Sequence, residues 1–196
     1  MPKCYSQQEK EDIRTRLKEE AAKCLVQYGI RKTTVDELVK RVKIPKGTFY
    51  LFYQSKELLL FEVILEKHEQ VDQKLMEAVG SLNEKDCTAE KLTEIIVNIY
   101  RMIDDIPVLK LLNSEEIEVL VRKLPQEVLE EHLGYDRSVV DELMQVIPVK
   151  KDVDTKALSA AFRGIYFTTI HKDKIGEENF YSALHLLVYG LVSQMI

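Results

Sequence analysis

TTVDELVKRVKIPKGTFYLFYQSKELL, residues 33–59, decides how this chain is read. Val35, Leu38, Val39 and Val42 recur at i, i+3, i+4, i+7, the spacing that lays one apolar stripe along a short helix. Thr33 and Thr34 offer hydroxyl oxygens at its start, and Thr34 with Glu37 fits a capping box. Ile44-Pro45 stops the pattern, because the residue ahead of a proline is pushed out of the helical region. Proline is favoured again at the first position of a helix, so Pro45 opens a second, very short helix over Lys46-Gly47-Thr48-Phe49-Tyr50. Ser55, with Lys56 and Glu57, caps a third. Two short helices joined by a turn of about three or four residues form a helix-turn-helix, whose second helix enters the major groove of DNA.

Upstream, Ser6-Gln7-Gln8-Glu9 is a further capping box and starts a helix near Gln7. Ile13, Leu17, Ala21, Cys24, Leu25 and Tyr28 carry its apolar stripe, and Gly29 is the expected stop. Charge is divided along the chain. Residues 1–60 hold 13 Lys and Arg against 8 Asp and Glu, whereas residues 61–196 hold 15 against 25. The basic end is the one that carries the helix-turn-helix, which is the electrostatic footprint of a nucleic-acid reader. The acidic remainder discourages wrapping of DNA around the whole molecule.

The rest of the chain reads as helix throughout. A long helix runs from Ser55 to about Val79 and closes at Gly80. Thr88 caps a helix to about Ile103 whose buried face holds Leu92, Ile95, Ile96 and Ile99. Asn113 or Ser114 opens another that ends before Pro125. Two short helices are expected at 126–133 and 137–147, divided by Gly134. The last two helices, 154–171 and 177–195, are the most apolar. Phe180, Leu184, Leu187, Val188, Leu191 and Met195, with Phe162 of the helix before, place apolar groups on more than one face of the final pair. A homodimer interface formed by these seven residues is the natural second partner.

The run Gly47-Thr48-Phe49-Tyr50, then Ser55-Lys56-Glu57-Leu58, with Thr33-Thr34-Val35 following Gly29, resembles the N-terminal DNA-binding domain of TetR-type (tetracycline-repressor-like) regulators. The resemblance spans roughly residues 7 to 60 in correct order and spacing. It departs at Pro45, Phe52 and Tyr53, where the family often has a small polar residue, a His and a Phe. Phe52 has no hydrogen-bond donor for a phosphate. The resemblance implies DNA contacts from Tyr50 and phosphate contacts from Thr33, Thr34 and Lys56. It also implies dimerisation through the last two long helices, and effector signals carried along the helix that follows the reading unit.

Bottom-up chemistry supports Lys46, Thr48 and Tyr50 as DNA contacts. Lysine pairs with guanine O6/N7, threonine meets a thymine methyl or a phosphate, and tyrosine reaches a phosphate with its hydroxyl. Gly47 removes a side chain where backbone must approach the duplex. Taken singly, the threonines are equally helix caps, Lys46 and Lys56 solvated cations, and Tyr50 a core aromatic; their joint spacing favours DNA. An effector pocket is expected among Tyr100, Phe162, Arg163, Tyr166 and Thr169, which set polar groups among apolar neighbours. Arg101 and His171 belong to the same group of polar positions.

Apolar residues make up 45% and charged residues 31%, which suits a folded domain with a substantial core. The longest apolar run, near Leu186–Val192, is far short of the ~20 residues a bilayer requires. With no hydrophobic stretch at the start, the expected location is the cytoplasm. Three cysteines without CxxC spacing argue against a disulfide framework or zinc site, and Cys24 reads as a core residue. His68, His132, His171 and His185 are scattered, and neither HExxH nor a phosphate-cradling glycine loop is present.

The expectation is therefore an all-α protein, not an enzyme, with no metal or cofactor beyond a small-molecule effector of unknown identity. A helix-turn-helix domain at 1–55 is followed by an effector-binding and dimerisation domain at 56–196. A homodimer would read a near-palindromic double-stranded operator through two recognition helices about 34–36 Å apart, and an effector would release it. The alternatives are a ligand-independent helix-turn-helix regulator or nucleoid-associated factor, and an enzyme or carrier with an incidental N-terminal unit.

Overall fold

The computed structural model describes residues 5–83, 85–113 and 115–196. Every regular element among them is helical: α1 (Gln7–Lys32), α2 (Val35–Val42), α3 (Lys46–Phe49), α4 (Lys56–Gly80), α5 (Ala89–Asp105), a 3-10 helix at Leu109–Asn113, α6 (Glu115–Val121), α7 (Gln126–Val146), α8 (Thr155–Ile170), α9 (Lys172–Ile175) and α10 (Phe180–Met195). No helix among the described residues is long and apolar enough to cross a membrane. The chain forms two compact units. One holds the chain up to His68 together with Ile106–Gln126, and the other holds Glu69–Asp105 with Glu127–Ile196. Residues 56–68 of α4 thus belong to the first unit and its remainder to the second.

In the first unit the capping box at Ser6 forms in full. The Ser6 hydroxyl accepts from the Glu9 amide and the Glu9 carboxylate accepts from the Ser6 amide. α1 buries Ile13, Leu17, Ala21, Cys24 and Leu25, and it packs on α2 and α6. Burial pushes the Cys24 thiol up, which keeps it protonated and unreactive. Gly29 does not end α1. It takes φ 73°, ψ −176°, and the helix resumes through Lys32, so that Ile30 turns into the core. That backbone region is open essentially to glycine alone.

The kink is held from α6 and α4. The Glu116 carboxylate accepts the Ile30 amide at 2.6 Å, and Lys56 Nζ donates to the Ile30 carbonyl at 2.9 Å. The Thr33 hydroxyl donates to the Gly29 carbonyl at 2.7 Å. A methyl group on Gly29 would lie 2.5 Å from Glu116 Oε2.

The second unit is built around α10, which packs on α5 and α8. Phe180, Leu184, Val188, Val192 and Met195 are buried there with Leu92, Val97, Leu158 and Ile165. Four of the residues expected at a dimer interface, Phe180, Leu184, Val188 and Met195, therefore pack inside this unit and do not face outward. Asp154 caps α8 by accepting the Lys156 and Ala157 amides, as its position predicts. The Lys150 amide closes the unit by donating to the Met195 carbonyl at 2.9 Å. The expected division at Gly134 is absent, and α7 runs through it as one helix. A single interior glycine costs only about 1 kcal/mol against alanine, and no proline stands nearby to enforce a break.

Gly29→Ala combines a forbidden backbone conformation with a clash against Glu116. It is expected to destabilise the protein by about 2 kcal/mol or more, read as a lower chemical-denaturation midpoint.

Candidate nucleic-acid interface

The geometry of the α2–α3 junction follows from its sequence. Thr34 caps α2 by accepting the Glu37 amide at 3.2 Å. Lys43 adopts the left-handed conformation (φ 59°) that ends the helix, and the Ile44 amide donates to the Val39 carbonyl. Pro45, extended at φ −61°, ψ 146°, is the N-cap of α3 and not, as expected, its first helical residue, which is Lys46. Leu38, Val39, Val42 and Phe49 are buried, so the two helices share one core and present one common outer surface. Arg16 adds a donor from α1 to the Val42 carbonyl at the end of α2.

The seven residues expected to touch DNA divide into two sets. Thr34 is exposed. Lys46 is half-exposed, and Tyr50 keeps 51% of its surface while its ring stands edge-on to Phe49 at 5.3 Å. Gly47 lies between the last two with open space where a side chain would be. Thr33, Thr48 and Lys56 are turned inward. Thr33 is fully buried with its hydroxyl on the Gly29 carbonyl. Thr48 is buried, with its hydroxyl 3.3 Å from that of Tyr5. Lys56 is mostly covered and bound to the Ile30 carbonyl, with Glu57 at 3.7 Å; burial holds its ammonium below the usual lysine range. These three side chains fix the helices that carry the outward set. Of the departures from the family pattern, Phe52 is half-buried and Tyr53 is buried, with Arg14 5.9 Å from its ring centre.

Two neighbours escaped the sequence reading. Asp36 carries its carboxylate to Lys46, 2.9 Å from the ammonium, and this pairing raises the Lys46 pKa above its ordinary value. Tyr5 reaches Thr48 from ahead of α1. Neither has a periodic signal, because both contacts cross a turn or come from outside a helix.

The expected effector residues lie on α5 and α8 of the second unit. Phe162 and Tyr100 pack against the core of the second unit, and burial pushes the Tyr100 phenol up to about 12. Arg163 is exposed, and the Thr169 hydroxyl donates to the Tyr166 carbonyl. A groove of about 420 Å³ lies elsewhere in that unit, between Lys74, Glu77 and Ala78 of α4 and Ile95, Asn98, Ile99 and Met102 of α5. Arg101 stacks 5.0 Å over the Tyr181 ring, beside an ion pair of Lys172 with Asp104 at 2.6 Å.

Residues 17–63 match the family model for bacterial regulatory proteins of the tetR family. The helix-turn-helix segment of this chain is therefore of the tetR type. It is 29% identical over 153 residues to an HTH-type transcriptional regulator of Bacillus subtilis (strain 168), YuxN, covering 75% of this chain and 50% of that one. The chain thus spans about half the length of that relative. It is 21% identical over 180 residues to the fatty acid metabolism regulator protein of the same strain, covering 87% of this chain and 91% of that one. Among solved structures it is similar to the regulator FadR of Bacillus subtilis in complex with stearoyl-CoA. That likeness has a TM-score of 0.64 at 17% identity, over 93% of this chain and 99% of that one, and is one of fold.

Gly47→Ala is expected to leave the fold intact, with stability unchanged or raised by up to about 1 kcal/mol, since the added methyl meets nothing and alanine favours helix. Denaturant unfolding beside the unmodified protein measures it.

Proposed function

We propose that this protein is a sequence-specific DNA-binding transcriptional regulator, acting as a homodimer that represses until a small-molecule effector releases it from a near-palindromic operator. The observation that carries the reading is the outer surface of α3. Lys46 and Tyr50 stand exposed on either side of a glycine that no packing requires, on the basic end of an otherwise acidic chain. A side chain omitted where nothing crowds it favours close approach by a partner, and phosphate contacts then position the helix while Lys46 reads a base edge. Thr34, Lys46, Gly47 and Tyr50 are assigned to direct contact; Thr33, Thr48 and Lys56 act by holding the reading helices. Residues 1–55 form the reading domain and 56–196 the effector and dimerisation domain, although residues 56–68 and 106–126 pack with the former.

Dimerisation is assigned to the outer face of α10. Leu186 and Leu187 are 72% and 49% exposed, beside Tyr189 and the partly covered Leu191, while the inner face is occupied by the unit's own core. Adjacent exposed leucines on a helix are costly in water and fit a second copy. The effector reading is supported by the α4–α5 groove, whose Ile95, Ile99 and Met102 suit an apolar body and whose Lys74 suits an anionic group. The related regulator bound to stearoyl-CoA makes long-chain acyl-CoA the first class to try. Release requires that the ligand favour the conformation that binds DNA less well. Tyr100 and Phe162, packed against the core where a pocket was expected, favour the second reading of a ligand-independent regulator.

Fluorescence anisotropy on DNA from upstream of the coding region, against a random duplex at several salt concentrations, tests the main reading. Preferential, salt-sensitive binding is expected; equal weak binding to both duplexes counts against a specific regulator. Tyr50→Ala is expected to weaken binding to either duplex by roughly tenfold, as loss of one phosphate contact, and Gly47→Ala to weaken it without loss of stability. Stearoyl-CoA is expected to release the specific duplex; retention in its presence favours the ligand-independent reading. Leu187→Glu is expected to give folded monomer by light scattering, and an unchanged dimer would remove that face from the interface.

A further inference from the structure

Asp36 is an unexpected group on a surface assigned to a polyanion. Its side chain is 74% exposed, and both carboxylate oxygens hold the Lys46 ammonium, at 2.9 and 3.0 Å. The two residues are ten apart and stand on different helices, so the pair exists only because the α2–α3 turn brings them together. α2 has little need of this carboxylate. Thr34 already caps it, and Glu37 places a second acid in the first turn, bonded to Arg41. Lys46 is the cation of α3, so Asp36 governs the charge that the recognition helix offers.

We infer that Asp36 and Lys46 form a specificity-determining pair that reads one G·C base pair in each half-site and discounts random DNA. In the major groove, guanine presents O6 and N7 as acceptors and cytosine presents its N4 amino group as a donor. Guanine O6 and cytosine N4 are hydrogen-bonded to each other within the base pair, so they lie about 2.9 Å apart. The Lys46 ammonium and Asp36 oxygen lie 2.9 Å apart with the opposite polarity. The protein pair therefore docks edge to edge: Lys46 donates to guanine O6/N7 while Asp36 accepts from cytosine N4, without breaking its own ion pair.

On random sequence the balance is different. An exposed ion pair holds its partners by no more than about fivefold, and a phosphate offers Lys46 a contact of similar size. Taking it leaves Asp36 unpaired against phosphates, so the exchange gains nothing. A matched base pair discriminates by roughly ten- to a hundredfold, which outweighs the cost of desolvating the pair.

The inference rests on the DNA-reading proposal above, and its test separates the two. The full-length protein and its Asp36→Asn and Lys46→Met variants are each put through binding selection on a randomised duplex pool, and through anisotropy on one fixed random duplex across a salt series. The wild type is expected to enrich an operator with a required G·C pair in each half-site, and both variants to lose the requirement at that position alone. Asp36→Asn is expected to bind the random duplex several-fold tighter, with a log–log salt slope steeper by about one, as the freed Lys46 neutralises a phosphate. Lys46→Met is expected to bind it more weakly. A wild type that enriches an operator while Asp36→Asn keeps every base requirement and the same random-duplex affinity overturns the pair alone. A wild type that enriches nothing overturns the DNA-reading proposal and the pair together.

Discussion

The backbone of Ile30 is held from both sides, its amide by Glu116 of α6 and its carbonyl by Lys56 of α4, and the first unit depends on that clamp. The positive φ of Gly29, which a residue with a side chain rarely adopts, gives the backbone turn that presents these two groups to their partners. Thr33 then closes the same turn against the Gly29 carbonyl and sets where α2 begins. Glu57, between Lys56 and Lys123, ties the start of α4 to the end of the 106–126 segment. Removing a partner from covered groups of this kind costs about 1–3 kcal/mol each, because the orphaned group loses water as well as its bond. One backbone kink therefore fixes the relation among α1, α2, α4 and α6.

That constraint explains the division of labour among the family-type residues. Thr33 and Lys56 stand at positions to which the family resemblance assigns phosphate contacts, yet the clamp engages both. What remains outward on the helix pair is a small set with contrasting chemistry: a capping hydroxyl at Thr34, a carboxylate–ammonium pair, a bare glycine and a half-exposed phenol. The core beneath them, Leu38, Val42 and Phe49, is apolar and tightly buried, so the outward groups move together as one surface.

The second unit follows a different logic. α10 is apolar nearly all round, and its inner face is covered by α5 and α8 within the same chain. Only the face bearing Leu186, Leu187 and Tyr189 is left to water. The groove between α4 and α5 is lined by Lys74, Glu77, Ala78, Ile95, Asn98, Ile99 and Met102, none of them aromatic, so it carries no aromatic–polar signal in the sequence.

The helices, their caps and the helix-turn-helix were legible in the sequence because they rest on local rules: apolar spacing at 3.6 residues per turn, side chains that cap neighbouring amides, and proline and glycine at positions that suit them. Gly134 misled because a local rule was given more weight than its cost of about 1 kcal/mol warrants. Which of the candidate site residues face outward was not legible. A hydroxyl or an ammonium has the same one-letter code whether it meets solvent or the carbonyl of a residue 26 positions away, as Lys56 does. The same holds for α10, whose sequence records how many faces are apolar but not which neighbour covers each. The sequence by itself determined an all-helical chain with a helix-turn-helix at its basic end. Only the tertiary structure decided that Thr33, Thr48 and Lys56 turn inward, that Asp36 meets Lys46, and that one face of α10 stays open, because each of these depends on contacts between segments distant in the chain.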